Sequence, residues 1–253
     1  MLLDRARAIV TGAASGLGRH FALELASAGA TVAAGDINTQ GLEELKAKAE
    51  GLAGRVLVAP LDVSQEPSVE AFVSEFSRKL GGINLLVNNA GILRDGLLAK
   101  NDGGWVRKLP SAQWKKVIDV NLTGSYLMTR EVTADMLARN ITDAVIINIS
   151  SLSHSGNAGQ SNYAASKAGL DACTRTWALE LASSGIRVGG VAPGVVDTPI
   201  LKHVSEQAKL SMLEKIPLRR FGISGEIWLA VKFIIECDYF TGRIIEVDGG
   251  LDF

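Results

Sequence analysis

Short apolar runs recur along the chain, and most are followed by a segment with helical spacing. Residues 7–11 (RAIVT) read as a buried strand and 12–18 as a glycine-rich turn. Apolar positions over 17–28 repeat at the helical period, and Gly29 ends that helix. The alternation predicts further strands at 31–35, 55–60, 85–88, 144–150, 186–192 and 244–247. It predicts further helices at 39–50, 67–80, 111–140 and 163–184. Strands without polar alternation are buried on both faces, and with intervening helices they form a parallel sheet of right-handed βαβ units. No Pro/Ser/Gly-rich linker and no repeat divides the sequence, so one α/β domain over 1–253 is expected. Its core is a doubly wound parallel sheet of about seven strands.

Composition narrows the function classes. Of 253 residues, 47% are hydrophobic and 21% charged, which excludes a disordered or fibrous chain. The 27 glycines, against 6 prolines, are scattered singly, as tight strand–helix turns require. Lys+Arg 26 and Asp+Glu 27 leave a net charge of −1, so no electrostatic footprint for nucleic acid or an anionic membrane is present. Cys173 and Cys237 lie in apolar contexts and read as buried thiols of a reducing compartment. His20, His154 and His203 are not at metal-ligand spacing, so no metal is expected. Charges interrupt the N-terminal apolar run, and no stretch reaches the ~18 apolar residues of a membrane span. A cytoplasmic protein with a small-molecule substrate is the expectation.

The chemistry-bearing motifs lie at strand ends. TGAASGLG (11–18) sits between the first strand and the first helix, with its glycines spaced GxxxGxG. Gly12, Gly16 and Gly18 let the backbone turn tightly towards a pyrophosphate, while Ser15, Leu17 and the helix amides face it. Asp36 follows the second strand, where a carboxylate accepts hydrogen bonds from adenosine ribose hydroxyls and repels a 2′-phosphate. Neither Ser15 nor Ile37 supplies an offsetting charge, so NAD is favoured over NADP. Asp62-Val63 follows the third strand, where the carboxylate could reach an adenine amino group.

Tyr163 and Lys167 share a helix face at i,i+4. A nearby ammonium favours the phenolate and brings a phenol towards the working range of an acid/base group. Ser150, at the end of the fifth strand, can point into the crevice where ligands of open α/β sheets bind. Ser151 fits the offset from Tyr163 less well.

Together with NNAG (88–91), DVNLTG around Asn121, YAASK (163–167) and APGVVDTP (192–199), these motifs resemble the short-chain dehydrogenase/reductase family over essentially the whole chain. The resemblance implies a single-domain Rossmann fold and a homotetramer. It implies Tyr163 as general acid/base, and Lys167 as the group that lowers its pKa and holds the nicotinamide ribose. Ser150 would bond the substrate oxygen, and Asn121 would hold a helix kink and a relay water. Asn89, Ala90 and Gly91 would line the adenosine side, and Pro193, Gly194, Val196 and Thr198 the nicotinamide side. Leu152, His154, Asn157 and Gln160 fall where the family lines its substrate pocket.

Within the family, DVNLTG, GQSNYAASKAGL and VDGG are most similar to 3-oxoacyl thioester reductases. Asp36 and a segment longer than the common pattern before Asn121 point instead to NAD-linked 3-hydroxyacyl-CoA dehydrogenases. That segment contains a hairpin turn at 101–104, followed by Trp105. Lys108, Lys115 and Lys116 read as a solvated face. Ile200, Leu201, Val204, Leu210 and Leu213 have the spacing of a mobile helical lid. Small secondary alcohols, steroids and sugars stay open as substrates. A catalytically idle nucleotide-binding regulator would not need Asn121, Ser150, Tyr163 and Lys167 together, and a scaffold would not need the glycine turn.

Overall fold

The computed structural model describes residues 1–199, 201 and 205–251. A seven-stranded parallel sheet runs in the order β3-β2-β1-β4-β7-β8-β9. Its strands are β1 (Arg7–Thr11), β2 (Thr31–Asp36), β3 (Arg55–Pro60), β4 (Leu85–Asn88), β7 (Ala144–Ile149), β8 (Ile186–Pro193) and β9 (Ile244–Val247). The separate pair β5 (Ala99–Asp102) and β6 (Trp105–Lys108) forms an antiparallel hairpin.

Side-chain alternation divides the core in two. Ala8 and Val10 face α1 (Gly16–Ser27), α2 (Thr39–Lys48) and α8 (Ser224–Glu236), in a cluster with Phe21, Leu45 and Ile234. Ile9 faces the other way, towards α3 (Glu66–Leu80), α5 (Gly124–Ala138) and α6 (Ser161–Leu181), among Phe76, Met128 and Met136. Both faces are therefore covered, which is why the strands read as unbroken apolar runs. The sheet direction of chain progress reverses between β1 and β4, and that reversal opens a crevice at their carboxyl ends.

Three features differ from the sequence reading. The continuous helix expected over 111–140 is divided into α4 (Ser111–Ile118), a wide π-type turn (Asp119–Thr123) and α5. Gly124, after that turn, has no room for a side chain, since a Cβ would lie 2.7 Å from Val63 Cγ2. Helix α8 was not anticipated; its sequence is apolar nearly all round, with Leu229 and Phe233 exposed opposite its buried face. The expected lid corresponds in part to α7 (Glu206–Lys215), in which no residue is buried, and Leu210 is exposed. Ile200, His203 and Val204 lie outside the described residues. Cys173 and Cys237 are free and only half-buried. No helix among the described residues is long and apolar enough to cross a membrane.

Candidate active site

A cleft of about 580 Å³ opens at the carboxyl ends of the central strands. Gly12, Ser15, Gly16, Leu17, Asp36, Asn89, Ala90 and Gly91 line one half of it. The glycines there are dictated by geometry. Gly12 has φ +65°, and a Cβ on it would lie 2.8 Å from Ala90 Cα. A Cβ on Gly18 would lie 2.2 Å from Gly12 O, so Gly18 sits beneath the turn and lets α1 approach it. Gly16, at φ +54°, faces open space, with nothing nearer to its Cβ position than Thr198 Cβ at 4.0 Å. Ser15 makes no side-chain cap, so it leaves the first amides of α1 and the positive end of the helix dipole for a ligand. This is a fitting cradle for a dinucleotide pyrophosphate.

The NNAG segment holds the turn from the neighbouring strand. Asn89 Nδ2 donates to Thr11 O (3.0 Å) and Gly12 O (3.2 Å). The Thr11 hydroxyl accepts from the amides of Asn89 and Ala90, both at 3.0 Å. At the rim, the Asp36 carboxylate accepts from Ala14 N (3.0 Å) and Asn38 N (2.9 Å). The sequence reading found no cation here, but the Arg19 guanidinium reaches the carbonyls of Ala14 and Gly41. Arg19 is also paired with Glu44 at 3.0 Å, which ties up its charge. Ile37 points into solvent. Asp62 and Val63 do not line the cleft. The Asp62 carboxylate turns back to accept from Ser64 N (3.0 Å) and Ser64 Oγ (2.6 Å), and Val63 packs under Gly124.

The other half of the cleft carries Ser150, Ser151, Tyr163 and Lys167, with Pro193, Gly194, Val196 and Thr198 beside them. Tyr163 and Lys167 lie one turn apart on α6, with Lys167 Nζ 5.7 Å from the Tyr163 ring centroid. Lys167 is buried, and its ammonium donates to Ile149 O at 2.6 Å. Burial brings the Lys167 pKa down to about 8, while Asp171 opposes that shift. The phenol behaves differently from the expectation. Burial pushes the Tyr163 pKa up, hydrogen bonding to Ser151 pulls it down, and the Asp95 carboxylate pushes it up again. The net shift is upward.

Both Ser150 and Ser151 line the cleft, and Ser151 is the one that draws the phenol's pKa down. Ser150 N donates to Val191 O at 2.7 Å, so Ser150 still follows the strand ladder. Its hydroxyl is buried without a hydrogen-bond partner among the described residues. Ser151 has left the strand and caps the short 3₁₀ turn Leu152–Ser155, accepting from Ser153 N at 3.2 Å.

Leu152, Asn157 and Gln160 line the cleft as expected. Gln160 Oε1 accepts from Ser153 Oγ (2.9 Å) and Asn157 Nδ2 (3.1 Å), and Gln160 Nε2 donates to Asp95 at 3.3 Å. Asp95 is a cleft residue that sequence reasoning missed, and its only signal was its place shortly after NNAG. His154 is not in the cleft. Its Nδ1 is drawn to the buried Asp171 carboxylate, and the ring lines a separate hollow near β9. Asn121 is fully buried in the π-type turn rather than on the cleft wall. Its Oδ1 accepts from Ile92 N (2.8 Å), and its Nδ2 donates to Ile92 O (3.0 Å) and Ser166 Oγ (3.3 Å). It thereby ties the cleft loop to α6. Leu201 and Met212 complete the wall.

A doubly wound parallel sheet with a glycine turn facing a Tyr-x-x-x-Lys pair defines a nicotinamide-dependent oxidoreductase. The chain belongs to the short chain dehydrogenase family, whose model matches residues 6–209. It is 42% identical over 254 residues to the 3-oxoacyl-[acyl-carrier-protein] reductase of Thermotoga maritima, covering 99% of both chains. It is 37% identical to nodulation protein G of Rhizobium sp. strain N33, over 97% of this chain and 96% of that protein. Among solved structures, a short-chain type dehydrogenase/reductase from Mycobacterium marinum superposes with a TM-score of 0.89 at 30% identity. That match covers 98% of this chain and 97% of the other.

Proposed function

We propose that this oxidoreductase interconverts a 3-oxoacyl thioester and its 3-hydroxyacyl counterpart, using NAD in preference to NADP. The observation that carries the reading is the convergence of Tyr163, Lys167 and the Ser151 hydroxyl on the cleft, opposite the glycine turn. The Thermotoga maritima relative supports the thioester class. The Asp36 carboxylate at the rim, and an Arg19 already paired with Glu44, support NAD.

Bound in the cleft, the nicotinamide supplies or takes up the hydride. The chain's own residues handle the proton and the geometry. The turn 12–18 and the start of α1 hold the phosphates. Ser151 donates a hydrogen bond to the substrate oxygen, and the Tyr163 hydroxyl delivers its proton to that same oxygen during reduction. A protonated phenol carries the proton that reduction consumes. Oxidation requires the phenolate, which the Lys167 ammonium stabilises. Asn121 fixes the loop bearing Ile92 against α6.

Exposed Tyr126 and Leu137 on α5, Leu179 on α6, and Leu229 and Phe233 on α8 support assembly into a homotetramer. The test of the reaction is NADH consumption with acetoacetyl-CoA. Tyr163→Phe is expected to lower kcat by at least the roughly 10²- to 10⁴-fold typical of losing an acid/base group, with NAD binding retained. Near-normal turnover in that variant would overturn the assignment.

A further inference from the structure

Asp95 puts a fixed negative charge on the half of the cleft that carries Tyr163. Its backbone is pinned from two helices. Gln113 Nε2, on α4, donates to Arg94 O (2.9 Å) and Asp95 O (3.1 Å), and Asn162 Nδ2, on α6, donates to Arg94 O (3.1 Å). Asn162 Oδ1 also accepts from Tyr163 N at 2.8 Å, so one side chain ties the Asp95 segment to the tyrosine. The carboxylate itself is held by Gln160, whose Nε2 donates to both of its oxygens at 3.3 Å. Turning that amide over would set Gln160 Oε1 against the carboxylate and face Asn157 Nδ2 with another donor, so the arrangement has one sense.

No cation offsets this charge. Arg94, its neighbour in sequence, donates to Leu93 O at 3.1 Å and makes no ion pair with Asp95 among the described residues. Lys167 is the only basic residue of the cleft wall among the described residues, and its ammonium is turned to Ile149 O. The other charge on that wall is Asp36, on the nucleotide side. A cleft lined by one sign of charge focuses that field on whatever enters it, and like charges exclude a wrong partner. We infer that Asp95 is a specificity-determining residue that admits uncharged 3-oxoacyl compounds and turns away free 3-oxo acids. In a free 3-oxo acid the carboxylate lies only two bonds from the reacting carbonyl carbon, whereas a thioester is neutral at that place. The inference deepens the function proposed above and rests on it. Asp95 is exposed, so salt screens part of its effect.

Acetoacetate and its N-acetylcysteamine thioester test this, because they share the reacting ketone and differ in charge beside it. NADH consumption by the wild-type chain is expected to favour the thioester in kcat/KM. In Asp95→Asn, which keeps the size of the side chain, kcat/KM for acetoacetate relative to the thioester should rise roughly tenfold or more, the scale of removing a close like charge. Effects of the substitution on Tyr163 fall on both substrates and cancel in that ratio. Asp95→Glu should keep the wild-type preference. Raising the salt concentration should narrow that preference in wild type and leave the ratio of Asp95→Asn unchanged. A ratio that Asp95→Asn leaves unmoved, with the thioester still reduced, overturns the inference alone. Should Asp95→Asn not fold, a wild-type ratio insensitive to salt overturns it. Turnover of neither compound by wild type overturns the proposed function, and the inference with it.

Discussion

Exchanging each of two adjacent serines for alanine should have different consequences. Ser151→Ala removes the hydroxyl that draws the Tyr163 pKa down. If that hydroxyl also steadies the substrate oxygen, its loss resembles the removal of one oxyanion donor, about 10²- to 10³-fold in kcat. Folding should hardly change, because only one hydrogen bond to the Ser153 amide goes with it. Ser150→Ala removes a buried hydroxyl that has no hydrogen-bond partner among the described residues. That hydroxyl lines the cleft, where solvent or substrate satisfies it, so its loss should change stability by no more than the roughly 1 kcal/mol of one net hydrogen bond. In a chain of this size that corresponds to a change in Tm of at most about 2–4 °C. Steady-state reduction of acetoacetyl-CoA and thermal unfolding, run on both variants, read the two effects separately. A large loss of kcat in Ser150→Ala with normal turnover in Ser151→Ala would refute the assignment.

Asp36→Ala should narrow the gap between NAD and NADP, and a wild-type kcat/KM equal or better with NADP would contradict the carboxylate argument. Gly18→Ala forces a Cβ to within 2.2 Å of the Gly12 carbonyl, so the turn must open. Overpacking of this kind costs about 1–3 kcal/mol, and NAD affinity measured by fluorescence titration should drop together with Tm. Light scattering should give a tetramer at micromolar concentration, and a stable monomer of 26.7 kDa would exclude one.

The strands were legible because a sheet covered on both faces leaves a simple mark, an unbroken apolar run such as Ala144–Ile149. The glycine turn was legible because steric exclusion at Gly12 and Gly18 admits almost nothing else. Helix α8 lacks a polar face, so amphipathic periodicity gave no signal for it. Ser150 and Ser151 both reach the cleft, and an offset along the chain does not tell two adjacent hydroxyls apart. His154 was drawn to the wrong cavity because its partner, Asp171, is remote in sequence and was not among the candidate residues. The phenol was expected below its ordinary pKa because the neighbouring lysine was visible in sequence and the extent of burial was not.

The β5–β6 hairpin leaves and rejoins the chain at one point, where Leu109 N donates to Leu98 O at 3.0 Å. Every side chain of its two strands is exposed. The stem is closed by that backbone bond, and the loop below it is separately anchored by Gly96 N donating to Gly159 O at 2.8 Å. Two backbone hydrogen bonds thus stand between the tip and Asp95. This makes 99–108 a natural splice point for grafting a peptide epitope, a surface tether or a fluorescent reporter, with Trp105 as a ready-made optical probe of whatever settles over it.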